Sequence, residues 1–115
     1  MYSDYNTGKL TVMKYDGSAW VTVGTPSFTA AASYPSLAFS TDGTPYVAYM
    51  DYANGAKTTV MEYNGSSWVN VGNAGFSAGT SGYPSLAFSP TDGMPYVAYV
   101  DVANSNKATV MKYAP

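Results

Sequence analysis

The 115-residue sequence contains no cysteine, no histidine and no arginine. The missing cysteine excludes disulfide bonds and thiolate metal sites, and the missing histidine excludes the usual Ser-His-Asp triad. Five lysines stand against seven carboxylates, which gives a formal net charge of −2, and the charges form no run of one sign. Because nucleic-acid binding needs a basic surface, we expect no nucleic-acid partner.

Long apolar stretches are also absent, and no segment approaches the ~20 apolar residues that a membrane-spanning helix requires. The N-terminus has neither the basic region nor the apolar region of a secretory signal. We therefore expect no membrane partner. The abundant residues are tyrosine (12) and glycine (11), together with serine, threonine and valine, and this composition predicts an all-β protein of short strands and tight turns.

An internal repeat with a period of 48 to 50 residues organises the chain. Residues 9–24 match residues 57–72 at 11 of 16 positions, and residues 34–51 match residues 83–101 after one insertion in the turn. A third copy of the first segment covers residues 107–113. A period of this length is typical of β-propeller blades, which are four-stranded antiparallel sheets, and is too long for leucine-rich or ankyrin repeats.

Alternating apolar residues and turn signals place four strands, A to D, in each repeat. In the complete repeat these strands cover residues 36–40, 46–50, 58–63 and 68–71. Asp-Gly and Asn-Gly pairs predict tight A–B and C–D hairpins. The B–C and D–A connections are longer, and in an up-and-down sheet they emerge together at the opposite end. They predict a loop-rich face, where we expect binding.

The sequence predicts a single repeat domain over residues 1–115 with one complete and two partial blades. Residues 1–24 supply strands B, C and D, residues 34–72 supply all four, and residues 83–113 supply A, B and C. An incomplete ring leaves apolar faces and strand edges in water, so we expect homo-oligomerisation, head to tail, to complete it. A trimer with six blades is favoured over a tetramer with eight. The alternative is a piece cut from a longer propeller.

Two tryptophans, Trp20 and Trp68, occupy the same repeat position directly after the C–D turn. Large aromatic side chains usually fill the core, so the favoured interpretation is a wedge between adjacent blades. A ligand-stacking role is the alternative.

The segments Tyr83–Phe88 (YPSLAF), Asp92-Gly93 and Pro95–Asp101 (PYVAYVD) resemble the blade repeats of bacterial BNR-like and sialidase-superfamily propellers. The resemblance covers nearly the whole chain, implies a propeller fold and favours an extracellular or cell-surface location. Sialidases of this superfamily have an arginine cluster and a Ser-x-Asp-x-Gly-x-Thr-Trp box. This chain has no arginine and its segment 40–43 departs from the box, so sialidase activity is not expected. Propellers also host lectins, other hydrolases, lyases and scaffolds.

Acidic residues end strand B at the predicted loop-rich face. They are Asp51 and Asp101, with Asp4 as the counterpart in the first repeat, and Lys57 and Lys107 follow the first two across the B–C loop. A carboxylate at this position suits a hydroxyl-bearing ligand. The favoured alternative is a loop-capping carboxylate or a solvent-screened ion pair.

Tyrosine and asparagine side chains make a stronger case for binding, because they combine flat surfaces with hydrogen-bonding tips that suit sugar rings and protein surfaces. The candidates on the same face are Tyr34, Tyr52, Asn54, Tyr83 and Asn104. A structural role at the mouth of a central pore is the favoured alternative for Tyr34 and Tyr83, because each precedes a proline at the start of strand A.

The B–C loop offers too few oxygen ligands for calcium, so no metal is expected. Copies of one acid around a ring would share one environment, which gives no division into general acid and general base. We therefore predict a non-enzymatic propeller module without a cofactor, self-assembling and lectin-like, that binds a glycan or a protein through its loop-rich face. A purely structural propeller fragment and a weak glycoside hydrolase are the alternatives.

Overall fold

The computed structural model describes residues 1–113, so residues 114 and 115 of the predicted domain lie outside the described residues. Eleven strands and two one-turn 3₁₀ helices, Tyr52–Asn54 and Val102–Asn104, make up the regular structure, and residues 1–113 contain no α-helix. The all-β prediction is confirmed. Within the same residues, no helix is long and apolar enough to cross a bilayer.

Within residues 1–113 the strands form four antiparallel sheets, none of which closes on itself. Two small sheets pair β1 (Tyr2–Ser3) with β2 (Leu10–Thr11) and β3 (Met13–Tyr15) with β4 (Trp20–Thr22). The central sheet contains, in spatial order, β5 (Ala32–Phe39), β6 (Pro45–Asp51), β7 (Lys57–Tyr63) and β8 (Trp68–Asn70). The last sheet contains β9 (Ser81–Phe88), β10 (Pro95–Asp101) and β11 (Lys107–Lys112).

The strand order follows the up-and-down order expected from the repeat. Strands A to D of residues 34–72 correspond to β5–β8, and strands A to C of residues 83–113 correspond to β9–β11. The sequence predicts ten strands, whereas the structure has eleven because strand C of the first repeat is divided at Val12. In the described part of the chain, the two-residue β1 pairs only with β2, so β3 has a partner on one side only.

The hairpin turns form where Asp-Gly and Asn-Gly predict them. In the β5–β6 turn the Asp42 carboxylate accepts a hydrogen bond from the backbone N–H of Thr44 at 3.0 Å, and Gly43 adopts a φ of +87°. In the β7–β8 turn the Asn64 side chain accepts from the N–H of Ser66 at 2.9 Å. Local side-chain bonds of this kind fix the turn and therefore the register of the strands that it joins.

The central sheet is covered on both faces, as the two-residue alternation of strand side chains requires. Val47 and Tyr49 of β6 lie in one buried cluster with Leu10, and Ala48 lies in a second cluster with Val97. The first cluster joins the central sheet to the small sheets, and the second joins it to the last sheet. The chain is therefore three layers deep, with the complete sheet in the middle.

Trp68 closes the first cluster. Its ring is 8% exposed and stacks on Phe28 with a centroid distance of 4.3 Å and an interplanar angle of 10°. Its Nε1 donates to the backbone oxygen of Val23 at 2.9 Å, so the polar atom of the buried ring is satisfied. Trp68 thus packs the central sheet against the segment that follows β4.

The two outer faces of the stack leave repeat-equivalent side chains uncovered. Val60 of the central sheet is 4% exposed, whereas Val110 of the last sheet is 63% exposed. Trp68 is buried, whereas Trp20 of the first layer is 66% exposed. The same repeat positions are therefore buried in the middle of the stack and exposed at its ends.

Candidate functional site

Three exposed tyrosines form what we call the tyrosine cluster: Tyr34, Tyr52 and Tyr83. The rings of Tyr34 and Tyr83 lie 4.3 Å apart between centroids, tilted by 55°, and are 47% and 65% exposed. The sequence places both residues just before strand A, whereas they lie inside β5 and β9, because these strands begin earlier than predicted. The two rings thus bridge the central and last sheets. Beside them, the N–H of Leu86 in β9 donates to Ser36 Oγ in β5 at 3.1 Å.

The backbone holds Tyr34 and Tyr83 in an uncommon conformation. Their φ angles are +53° and +49°, and each lies where the pairing of its strand is shifted by a bulge or irregularity. Positive φ is rare for a bulky residue and costs about 1–3 kcal/mol. Each is followed by a proline, which donates no backbone hydrogen bond to the sheet. Strain of this kind concentrates at binding and catalytic sites.

Tyr52 completes the cluster from the β6–β7 connection. It is 51% exposed, and its hydroxyl lies 3.0 Å from Ser33 Oγ, which ties the one-turn helix to β5. Tyr83 raises the pKa of the Tyr34 hydroxyl, first through side-chain hydrogen bonding and then through charge repulsion. Sequence reasoning missed Ser33, a small polar residue that no motif singles out.

Asp51 is placed at the end of β6 as predicted, and its carboxylate is buried. Oδ1 accepts from the N–H of Ala53 at 3.1 Å, and Oδ2 accepts from Asn54 Nδ2 at 2.8 Å and Thr59 Oγ1 at 2.7 Å. Thr59 Oγ1 in turn accepts from the N–H of Gly75 at 2.8 Å. This arrangement is that of a loop-capping carboxylate, and the Asn54 amide is used to hold it.

Asp101 repeats this arrangement with one difference. Oδ2 accepts from Asn104 Nδ2 at 2.7 Å and Thr109 Oγ1 at 2.8 Å, whereas Oδ1 is buried without a hydrogen-bond partner among residues 1–113. The bonds from Asn104 and then Thr109 lower the pKa of Asp101. The acidic members of the predicted site thus lie beneath the loops, and the tyrosines lie on the surface.

We expect Asp51→Asn to destabilise the fold more than Asp101→Asn. An amide nitrogen replacing Oδ1 of Asp51 would face the N–H of Ala53, whereas Oδ1 of Asp101 accepts no hydrogen bond of that geometry from residues 1–113. A mismatched buried bond costs about 1–3 kcal/mol. Urea unfolding of both variants measures the difference in free energy of unfolding, and equal losses would contradict it.

Acid should weaken the fold through Asp101. Because its pKa is lower when folded, its contribution to stability is complete above the unfolded pKa of about 3.9 and is lost as pH falls through the lower folded value. The urea midpoint should therefore fall as the pH is lowered through about 3.9 and below, and should fall less in Asp101→Asn. An identical acid dependence in the two proteins would show that Asp101 does not contribute.

The described residues offer no metal site of carboxylates, since no three acidic side chains between residues 1 and 113 converge closely enough. The one ion pair formed within these residues joins Lys112 Nζ to Asp92 Oδ2 at 3.7 Å, near the β9–β10 turn and away from the tyrosine cluster.

No protein-family model, curated protein or solved structure shows significant similarity to the chain.

Proposed function

We propose that the chain is a non-enzymatic, propeller-type binding module that works as an assembly of identical chains and binds a glycan through the tyrosine cluster. The observation that carries the binding proposal is the exposed pair Tyr34 and Tyr83, held 4.3 Å apart by strained backbone. Two tilted rings with hydroxyl tips suit a sugar, because a ring C–H face packs on aromatic surface while its hydroxyls need hydrogen-bond partners.

Self-assembly is supported by the uncovered ends of the stack. Val110, Met111 and Trp20 are 63%, 40% and 66% exposed, and the counterparts of Val110 and Trp20 are buried in the middle. Sheets that share one strand order and one register can continue the same packing across copies of the chain. An assembly would also present several tyrosine clusters together, which raises avidity for a branched or repeating glycan.

The arrangement of acidic groups argues against catalysis. The Asp51 carboxylate accepts three internal hydrogen bonds, and the Asp101 carboxylate lies buried beneath its loop. A glycosidase needs two carboxyl groups on either side of a bond in a cleft, and neither of these carboxylates is presented to one. Binding without turnover is the function that fits these positions.

A glycan array with the labelled chain tests the binding proposal. We expect selective binding that weakens at least about tenfold in Tyr34→Ala and Tyr83→Ala, because central aromatic contacts dominate interfaces of this kind. Tyr5→Ala is the matched control, since Tyr5 is fully exposed outside the cluster. Absence of any selective binding by the folded protein would instead favour the purely structural module.

A further inference from the structure

Trp68 packs into a set of residues that we call a seat, and this set is repeated on the other side of the central sheet. Trp68 rests on Phe28 and bonds to Val23, and a Cβ on Gly24 would lie 2.9 Å from both Trp68 Nε1 and Tyr63 Cε1. Gly24 is therefore required for the ring to approach the backbone. We call Val23, Gly24, Phe28 and Tyr63 the first seat.

One repeat later, the corresponding residues line an open pocket of about 210 Å³ between the central and last sheets. Val71, Gly72 and Phe76 follow their counterparts by 48 residues, and Tyr113 follows its counterpart by 50. Gly72 has a φ of +71°, and a Cβ there would lie 3.0 Å from Tyr113 Cε1, as in the first seat. We call these four residues the second seat, which no tryptophan of residues 1–113 fills.

Trp20 has the strand position that would fill the second seat. It pairs with Tyr15 across β3 and β4 as Trp68 pairs with Tyr63 across β7 and β8. Both tryptophans begin the sequence Trp-Val-x-Val-Gly. Trp20 is nevertheless 66% exposed, because no first-seat equivalent lies beside it within residues 1–113 of its own chain.

The strand beside Trp20 has a near-identical copy at the other end of the structure. Residues 9–15 (KLTVMKY) and 107–113 (KATVMKY) differ at one of seven positions, Leu10 against Ala108. The first copy pairs with β4, whereas β11 in the second copy pairs with β10 and has a free edge within the described residues. Residues 9–15 and β11 therefore have nearly the same sequence, and both are suited to pair with β4.

We propose that copies of the chain exchange strands, with β11 of one copy replacing β2 and β3 of its partner beside the partner's β4. The register seen in β7 and β8 would then place Met111 opposite Thr22, and Trp20 of the partner would enter the second seat. The proposal rests on the self-assembly of the proposed function and names the strands that perform it. The exchange also explains the surplus of strands B and C in the chain, because the full-length β10 and β11 of one copy take the place of the short β1, β2 and β3 of the next.

Disulfide trapping tests the exchange, and the chain has no cysteine to interfere. Thr22→Cys and Met111→Cys are made separately, mixed and oxidised, and we expect a covalent dimer joined at these positions. Residues directly opposite on antiparallel strands have the Cα separation that a disulfide needs. Thr22 is exposed, Met111 is 40% exposed, and neither belongs to a buried cluster, although Met111→Cys removes the hydrogen bond that the Tyr99 hydroxyl donates to Met111 Sδ at 3.3 Å.

Asn70→Cys mixed with Met111→Cys is the matched control. Asn70 holds the position of Thr22 in β8 and is likewise exposed, but β8 already pairs with β7 of its own chain, so we expect no cross-link to Met111 of another copy. Light scattering on the same samples separates the two proposals. An assembled mass without the 22–111 bond overturns the exchange alone, and a single-chain mass overturns both the exchange and the self-assembly.

Ala108→Leu gives a second test by removing the one difference between the competing strands. Ala108 is exposed, whereas its counterpart Leu10 is fully buried against the central sheet. We expect the variant to assemble at least about tenfold more tightly, because the exchange would bury the larger side chain. Unchanged or weaker assembly would overturn the exchange.

Discussion

Trp68→Ala is expected to lose about 3–5 kcal/mol of unfolding free energy, the range for truncating a large buried aromatic side chain. The substitution removes the Phe28 stack, opens the first cluster and leaves the backbone oxygen of Val23 without its indole donor. Small domains have only about 5–15 kcal/mol of unfolding free energy, so the variant should lose a large fraction of it. Urea unfolding followed by circular dichroism at one fixed concentration measures the loss.

Tyr5→Ala serves as the control for Trp68→Ala, because it removes an aromatic side chain that is 100% exposed. Its unfolding free energy should change by no more than about 0.5 kcal/mol, as for surface positions in general. Equal losses in the two variants would mean that Trp68 does not hold the first layer to the central sheet.

Gly24→Ala is expected to produce the second large loss of unfolding free energy. Gly24 has a φ of +75°, and a Cβ there would meet Trp68 Nε1 and Tyr63 Cε1, each at 2.9 Å. The left-handed conformation costs about 1–2 kcal/mol for a residue with a side chain. The overlap adds about 1–3 kcal/mol, because the buried ring must shift.

Gly43→Ala isolates the contribution of the overlap. Gly43 has a φ of +87° in the β5–β6 turn, and a Cβ there would meet no atom of residues 1–113 within 4 Å. Gly43→Ala should therefore lose only the unfolding free energy that the left-handed conformation costs a residue with a side chain. If thermal or urea unfolding shows Gly43→Ala to be as damaging as Gly24→Ala, the close approach of Trp68 to the backbone is not a constraint.

The strands and their order could be predicted because the repeat gives the same signals more than once. Asp42-Gly43 and Asn64-Gly65 fix the turns, and the alternation along Tyr46–Met50 marks a strand covered on both faces. The position of Asp51 at the end of β6 also followed from the sequence. Local chemistry decides these features, so one sequence is enough to find them.

Features that depend on contacts between layers could not be predicted in the same way. Trp20 and Trp68 have nearly the same local sequence, yet one is 66% and the other 8% exposed, because within residues 1–113 only Trp68 has a neighbouring layer to pack against. The positive φ of Tyr34 and the unpartnered Oδ1 of Asp101 likewise depend on geometry that no motif records. The 48-residue spacing of Phe28 and Phe76 is a signal that could have revealed the two seats.

The mass of the chain in solution, measured by light scattering coupled to size exclusion over a dilution series, tests the proposed assembly most directly. Each chain has a mass of 12.1 kDa, and we expect a species of three chains that supplies six sheets to a ring. A well-folded species of one chain mass at every concentration would contradict the assembly, since Trp20 and the second seat would then remain open to water.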